Sequence, residues 1–253
     1  KHLPISLPKI DIWRMFTDSQ KNLWIGSYDQ GYEVAYNYKR NFNSNNNLQT
    51  YMKNKSVFSV AMGKDNSLWM LTLRDGLYRY DFERQEIQKI NLNQFLTEEK
   101  KEQTLANQVF VDTDNNIWIV TPHNETWLCS YEQNKLQIKK RFNIPMGMSI
   151  TQDQDKTIWI GSASPLVYCI DTNLEMKSIN ILDSNNKFTY TFIPGITPLH
   201  NNKIMVSAFA LPIKLIDKNN HAIEDITISQ EDYKNCIRRS VIIPTTIHED
   251  SRH

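Results

Sequence analysis

Four tryptophans stand in the same local pattern along the chain, and their spacing restricts the fold more than any other feature. Trp24, Trp69, Trp118 and Trp159 each follow an Asp or Gly by six positions and precede a Ser or Thr by three. Successive tryptophans are 45, 49 and 41 positions apart, which is the period of a four-stranded propeller blade. Because one blade cannot bury both of its faces, blades must stack, and the repeated Trp is predicted to fill the space between neighbouring sheets.

Each repeat is predicted to contain four short β-strands. In the third repeat, residues 109–111 suit the first strand and the run Ile-Trp-Ile at 117–119 suits the second. Between them, the Asp-x-Asp-x-Asn run at 112–116 is expected to cap the backbone N–H groups of a tight hairpin turn and to tolerate a left-handed conformation. In the second repeat, the third and fourth strands are predicted at 76–81 and 86–90.

The repeat also predicts the extent of the fold. A fifth copy has Met205 in place of Trp, and a sixth begins at Ile247 without reaching its Trp position. We therefore predict an all-β, partial β-propeller over residues 1–253, excised from a larger propeller, with five four-stranded blades and the first strand of a sixth. The predicted limits are 10–52, 56–92, 107–142, 147–181 and 191–228 for the blades, and 240–250 for the additional strand. Residues 41–47 are predicted to be polar loop, and 95–102 to form at most two helical turns.

Composition excludes several classes of function. A net charge of +1 gives no electrostatic attraction for nucleic acid or anionic membranes. Cys129, Cys169 and Cys236 are too few for a closed disulfide framework and have no zinc-site spacing. No apolar run approaches the roughly 18 residues that span a bilayer, so any export signal or membrane anchor of a parent protein is expected outside this chain.

Two acidic turns resemble the start of a calcium loop. Asp112 and Asp114 in one turn, and Asp153 and Asp155 in another, offer closely spaced carboxylates. Neither turn has the Gly at the sixth position or the Glu at the twelfth that an EF-hand uses. Turn capping is therefore the preferred interpretation over metal binding, and we predict no metal and no cofactor.

The repeat resembles the two-component regulator propeller repeat. Residues 24–27 and 159–162 match its Trp-Ile-Gly-Ser core, and 75–81 match its second half, Gly-Leu-x-x-Tyr. The chain departs from that pattern in the hairpin, where the expected Gly is replaced by Asn22, Ser67, Asn116 and Thr157.

The resemblance implies a place in a larger receptor. Such repeats form the periplasmic sensor region of hybrid two-component proteins in Bacteroidetes such as Bacteroides. These receptors are inner-membrane proteins with a histidine kinase and a response regulator. That family senses oligosaccharides and regulates transcription of polysaccharide-utilisation genes. The implied partners are an oligosaccharide ligand, a second propeller and a β-sandwich domain of the same parent chain, and a second receptor copy in a homodimer. No direct nucleic-acid contact by this chain is expected.

The loops between second and third strands are the predicted ligand-binding region. Strand residues are committed to packing, whereas these loops differ in length and chemistry from one repeat to the next. Aromatic rings there could stack on sugar faces, and Arg74 could pair with an acidic group. The predicted ligand-binding residues are Tyr28, Arg74, Asp75, His123 and Trp127.

Two alternatives remain open. Some propellers are lyases or hydrolases, and His123 with Glu125 could serve as acid and base. No Gly-x-Ser-x-Gly or His-Glu-x-x-His element supports that alternative, and we predict that this chain is not an enzyme. The chain could also be a structural spacer in a sensor whose ligand site lies on another domain.

Overall fold

The computed structural model describes residues 12–17, 22–27, 32–35, 46–73, 75–96, 106–182, 191–209 and 211–226. Within these ranges the regular structure consists of nineteen β-strands, one seven-residue helix and one 3₁₀ turn. The chain divides into two compact units, Lys1–Val111 and Asp112–His253.

The first unit contains two antiparallel sheets and the first strand of a third. Its elements are β1 Ile12–Thr17, β2 Leu23–Ser27, β3 Tyr32–Ala35, α1 Asn46–Met52, β4 Val57–Met62, β5 Ser67–Thr72, β6 Gly76–Asp81, β7 Glu86–Ile90, a 3₁₀ turn at Leu92–Phe95, and β8 Gln108–Val111. The first sheet has the order β1-β2-β3 and the second β4-β5-β6-β7.

The second unit contains the other eleven strands of the described residues. They are β9 Ile117–Val120, β10 Thr126–Glu132, β11 Lys135–Phe142, β12 Gly147–Gln152, β13 Ile158–Ser162, β14 Leu166–Ile170, β15 Met176–Asn180, β16 Gly195–Pro198, β17 Lys203–Ser207, β18 Ile213–Asp217 and β19 Ile223–Ile226. Strands β9–β11 belong to the third sheet, β12–β15 form the fourth and β16–β19 the fifth, each in chain order.

The predicted succession of four-stranded antiparallel sheets is confirmed. Four of the five sheets have four strands, and the first has three within the described residues. In the second sheet, β6 and β7 occupy the predicted ranges 76–81 and 86–90. The blade limits remain predictions, and the additional strand at 240–250 lies outside the described residues.

One carboxylate explains the six-residue spacing between Asp and Trp. Asp112 Oδ1 accepts hydrogen bonds from the backbone N–H groups two and four residues later, at 2.9 and 2.8 Å. Its Oδ2 accepts the indole Nε1–H of Trp118 at 2.9 Å. Asp153 makes the same contacts, including one of 2.9 Å from Trp159 Nε1. The carboxylate therefore closes the hairpin and fixes the Trp ring, as the turn-capping interpretation expects.

The hairpins of the second to fifth sheets share one left-handed residue, which in the third sheet lies within the predicted run at 112–116. Residues with positive φ precede the Trp or Met position by three, and they are Asn66 (55°), Asn115 (63°), Lys156 (65°) and Asn202 (65°). In the second, third and fourth sheets it directly precedes the position where the repeat pattern has Gly, which is occupied here by Ser67, Asn116 and Thr157. In the third sheet, Asn115 N–H donates to the carbonyl oxygen of Asp112 at 3.0 Å, so a turn closes first and its last residue takes the left-handed region.

The repeated tryptophans are core residues, as predicted. All four are buried. Trp24 of the first sheet meets Phe82, which follows β6, edge-to-face at 6.0 Å between ring centroids. Trp159 of the fourth sheet lies in one apolar cluster with Ile204 and Ile216 of the fifth. Both rings therefore fill space between successive sheets of their own unit.

The Gly of the Trp-Ile-Gly-Ser run is required by a close approach. A Cβ at Gly161 would lie 2.5 Å from Ser149 Oγ and 2.6 Å from the carbonyl oxygen of Ile193. Ser149 Oγ donates to that carbonyl at 2.9 Å, which joins the fourth sheet to the segment entering the fifth. In the first unit, Ser59 similarly contacts Val109, donating to its carbonyl at 3.3 Å and accepting from its N–H at 3.1 Å.

The prediction of a polar loop at 41–47 is wrong at its end. Helix α1 begins at Asn46, because Leu48 and Met52 stand four positions apart and are both buried in the core cluster of the first unit. Around 95–102, the described helical structure is the 3₁₀ turn ending at Phe95, and residues 97–105 lie outside the described ranges.

Candidate functional site

A side-chain hydroxyl shapes the loop between second and third strands in the second, third and fourth sheets. The Ser or Thr three positions after Trp69, Trp118 and Trp159 donates to the carbonyl oxygen four residues further on, with oxygen–oxygen distances of 2.8 Å for Thr72, 2.5 Å for Thr121 and 2.9 Å for Ser162. We call the segments that follow these residues the 2–3 loops. The hydroxyl holds the loop backbone in a fixed turn, so that side chains there point from a rigid frame.

The structure describes three of the five predicted ligand-binding residues. Asp75 lies in the first unit, and His123 and Trp127 lie in the second. Tyr28 and Arg74 lie outside the described residues. The predicted convergence of the five on one ligand stays a prediction.

Asp75 is the centre of a cluster of charged and aromatic side chains in the first unit. Its Oδ2 accepts hydrogen bonds from Lys55 Nζ and from the hydroxyl of Tyr78, and its Oδ1 accepts from Lys89 Nζ at 2.5 Å. Tyr51 completes this group, which we call the Asp75 cluster, and its ring meets that of Tyr78 edge-to-face at 5.8 Å.

The electrostatics of the cluster keep the carboxylate ionised at neutral pH. Burial alone would raise the pKa of Asp75, but the hydrogen bonds from Lys55, Lys89 and Tyr78 outweigh it and hold the pKa far below its ordinary value. Burial and the adjacent Asp75 carboxylate both raise the pKa of Tyr78, so its hydroxyl remains a donor at neutral pH. The ionised Asp75 carboxylate and the protonated Tyr78 hydroxyl thus form a charge-assisted hydrogen bond.

Two residues outside the predicted loop, Tyr51 and Lys55, complete the cluster. Helix α1 packs Leu48 and Met52 into the core, which leaves Tyr51 on its outer side with 45% of its surface exposed. Lys55 follows the helix, and its Nζ lies 5.9 Å from the centroid of Tyr51 and 5.5 Å from that of Tyr78. Sequence reasoning missed both residues, because it placed the ligand site only in the loops between second and third strands.

The third sheet carries a corresponding group in the second unit. Tyr78 stands nine positions after Trp69, and Trp127 stands nine positions after Trp118. Each faces a cation on the fourth strand: Tyr78 is paired with Lys89, and Trp127 with Arg141. Aligning the repeats would therefore have shown that these aromatic positions are equivalent.

Trp127 is held by an acid and a cation. Its Nε1–H donates to Glu125 Oε2 at 2.9 Å, and the guanidinium of Arg141 lies 5.1 Å from its ring centroid. Arg141 Nη1 also donates to Glu125 Oε2, at 2.5 Å. The indole is 0% exposed and His123 is 8% exposed, so a sugar could stack on Trp127 only if the ring were first uncovered.

Among the described residues, no group of three or more His, Cys, Asp and Glu side chains is arranged to hold a metal ion. The helices of these same ranges include none with the length and apolar character of a membrane span.

Comparisons with known proteins bear on the repeat and the fold. Residues 6–29 match the family model described as two component regulator propeller. A search of curated proteins finds no match to the sequence.

Three solved structures resemble the chain. One crystal structure of the extracellular domain of BT4673 from B. thetaiotaomicron, there described as a one component system, has a TM-score of 0.70 and 17% identity over 95% of this chain and 31% of its own. A second, which describes BT4673 as a hybrid two component system, has a TM-score of 0.63 and 14% identity over 98% of this chain and 37% of its own. A catalytically inactive virginiamycin B lyase from Staphylococcus aureus, crystallised with quinupristin, has a TM-score of 0.54 and 14% identity over 88% of this chain and 71% of its own.

These likenesses concern the fold, and the chain spans only about a third of the length of the two BT4673 structures. The predicted all-β propeller class is confirmed by them. The predicted family resemblance is confirmed as well: the chain carries the two-component regulator propeller repeat, matched by its family model at residues 6–29.

Proposed function

We propose that this chain is the ligand-sensing propeller of a periplasmic glycan receptor, part of a hybrid two-component protein that regulates polysaccharide utilisation. The repeat match and the likeness to the extracellular domain of a two component system support the sensor class. The Asp75 cluster is the observation that carries ligand binding, because it gathers exposed aromatic and charged groups beside a rigid 2–3 loop.

The cluster has the chemistry that carbohydrate recognition needs. A sugar ring presents apolar C–H faces and many hydroxyls, and an aromatic ring can cover the former while charged groups hydrogen-bond the latter. Tyr51 offers the exposed ring, while Asp75 and Lys89 are 35% and 47% exposed and offer an acceptor and a donor. In the full receptor, we propose a second propeller, a β-sandwich and a homodimeric partner as further contacts of this chain.

The arrangement around His123 gives the enzyme alternative little support. Glu125, the other half of the possible acid–base pair, has its Oε2 engaged by both Trp127 and Arg141. A general base must reach the proton that it abstracts, and a carboxylate held by two donors is a weak base. We therefore propose that the chain binds ligand without turning it over.

Isothermal titration calorimetry of the full chain against a panel of neutral and acidic oligosaccharides tests this function. We expect saturable binding of at least one panel member, with the ligand recovered intact by chromatography. Recovery of cleaved ligand would support the enzyme alternative instead. Absence of binding across the panel would contradict ligand sensing by this chain and favour the structural spacer.

A further inference from the structure

The Asp75 cluster carries more positive than negative charge. Two ammonium groups, Lys55 and Lys89, contact one carboxylate, which leaves one positive charge in excess. An ammonium group has three N–H donors, and the contact with Asp75 uses one donor of each lysine. Lys89 is 47% exposed, so a ligand from solvent can reach its remaining donors.

The excess charge lies beside an exposed aromatic ring. Lys55 Nζ stands over the rings of both Tyr51 and Tyr78, and Lys89 Nζ lies 5.9 Å from the centroid of Tyr78. The buried Tyr78 ring and its hydrogen bond to Asp75 fix this geometry from below. A ligand in contact with Tyr51 would therefore meet an ammonium group within the width of one sugar ring.

We propose that the Asp75 cluster binds an acidic oligosaccharide, in which a sugar ring that lies against Tyr51 carries a carboxylate or a sulfate bound by Lys89 and Lys55. This inference rests on the proposed sensing function and specifies its ligand class. A neutral sugar would satisfy the ring contact but leave the excess positive charge without a partner. An anionic substituent satisfies both, since charge-assisted hydrogen bonds are the stronger kind.

The experiment compares ligands of defined charge on the full chain. Calorimetry is performed with tetragalacturonate, a sulfated chondroitin disaccharide, neutral cellotetraose and inorganic sulfate, at low and at high ionic strength. We expect an acidic saccharide to bind more tightly than both cellotetraose and inorganic sulfate, and its affinity to fall as salt screens the lysines. Tetragalacturonate carries carboxylates alone and the chondroitin disaccharide carries a sulfate besides its carboxylate, so the unsulfated chondroitin disaccharide is added to measure what the sulfate contributes.

Substitutions of one lysine inside the cluster and one lysine outside it test the position of the site. Replacing Lys89 with Ala is expected to lower the affinity for the acidic ligand about tenfold, and Lys89→Glu is expected to lower it considerably more. The control is Lys64→Ala, which removes an exposed lysine from the β4–β5 turn at the opposite end of the same sheet and should leave affinity unchanged.

The outcomes separate this inference from the proposed function. Binding of cellotetraose as tight as that of the acidic saccharides, or acidic binding that Lys89→Glu does not weaken, would overturn the acidic-ligand inference and leave sensing intact. Inorganic sulfate binding as tightly as the sulfated saccharide would overturn the part assigned to the sugar ring. Absence of binding by every probe would overturn both.

Discussion

The second and third sheets place an aromatic ring and a cation at equivalent positions, each beside an acid of the 2–3 loop, yet the two groups differ in what they expose. In the second sheet, Tyr78 is buried beneath Asp75, and α1 adds Tyr51 and Lys55 above it. In the third sheet, Glu125 and Arg141 enclose a fully buried Trp127. The comparison teaches that the shared arrangement is part of the frame, whereas the segment added before the second sheet supplies an exposed aromatic ring and a second cation that a ligand could contact.

Truncation of Trp127 gives the largest expected effect. Because the indole is fully buried and hydrogen-bonded, Trp127→Ala should lower the free energy of unfolding by about 3–5 kcal/mol. Trp127→Phe keeps most of the packing and should lose much less. Denaturant unfolding followed by fluorescence measures both. A Trp127→Ala protein with wild-type stability would show that the ring is not part of the frame and would restore it as a ligand surface.

The hydroxyls of the two 2–3 loops should matter equally, because both sheets use them in the same way. Thr72→Val and Thr121→Val each remove a hydrogen bond to a loop carbonyl. Each should lower the free energy of unfolding by about 1 kcal/mol, or the melting temperature by roughly 2–4 °C. Scanning calorimetry on both variants tests this equality. A large effect at one loop alone would mean that the frames of the two sheets are not equivalent.

This shared frame is the part of the structure that the sequence predicts well. The spacing from Asp112 to Trp118 and from Asp153 to Trp159 follows from one hydrogen bond, which both of these hairpins make. The loop hydroxyl at Thr72 recurs for the same reason. Such contacts are local in sequence, and a repeat makes them visible.

The contents of the candidate site were less predictable. Tyr51 reaches Tyr78 across 27 positions because α1 docks there, and a helix in one inter-blade segment has no counterpart in the repeat pattern. Trp127 was predicted to contact ligand because it is aromatic and adjoins a loop. Its position nine residues after Trp118 marks it as the equivalent of Tyr78, but its burial and its place opposite Arg141 are visible only in the structure.

A smaller effect on stability is expected from Asp75→Asn, and it should depend on pH in the acidic range. The Asp75 pKa is lowered in the folded chain, so its stabilising contribution is complete above the ordinary carboxyl value of 3.8 and is lost as pH falls below it. Asp75→Asn should therefore be less stable than wild type at pH 7, and the difference should shrink towards about pH 2. Melting temperatures of both proteins across this range provide the measurement. A difference that does not change with pH would place the effect in packing instead of charge.

The smallest effect on stability should come from the outermost cations, and it bears most directly on the comparison. Lys89 and Arg141 occupy equivalent positions, and their side chains are 47% and 42% exposed. Exposed ion pairs of this kind typically contribute between 0 and about 1 kcal/mol, so Lys89→Ala and Arg141→Ala should both melt within a few degrees of wild type.

The effects of the same two substitutions on ligand binding should differ, because Tyr51 and Lys55 accompany Lys89, whereas Arg141 covers a buried indole. Weakened acidic-ligand binding in Lys89→Ala with unchanged binding in Arg141→Ala would separate a ligand contact from a frame contact at one repeat position. Equal weakening in both variants would contradict that separation and assign ligand contacts to both sheets.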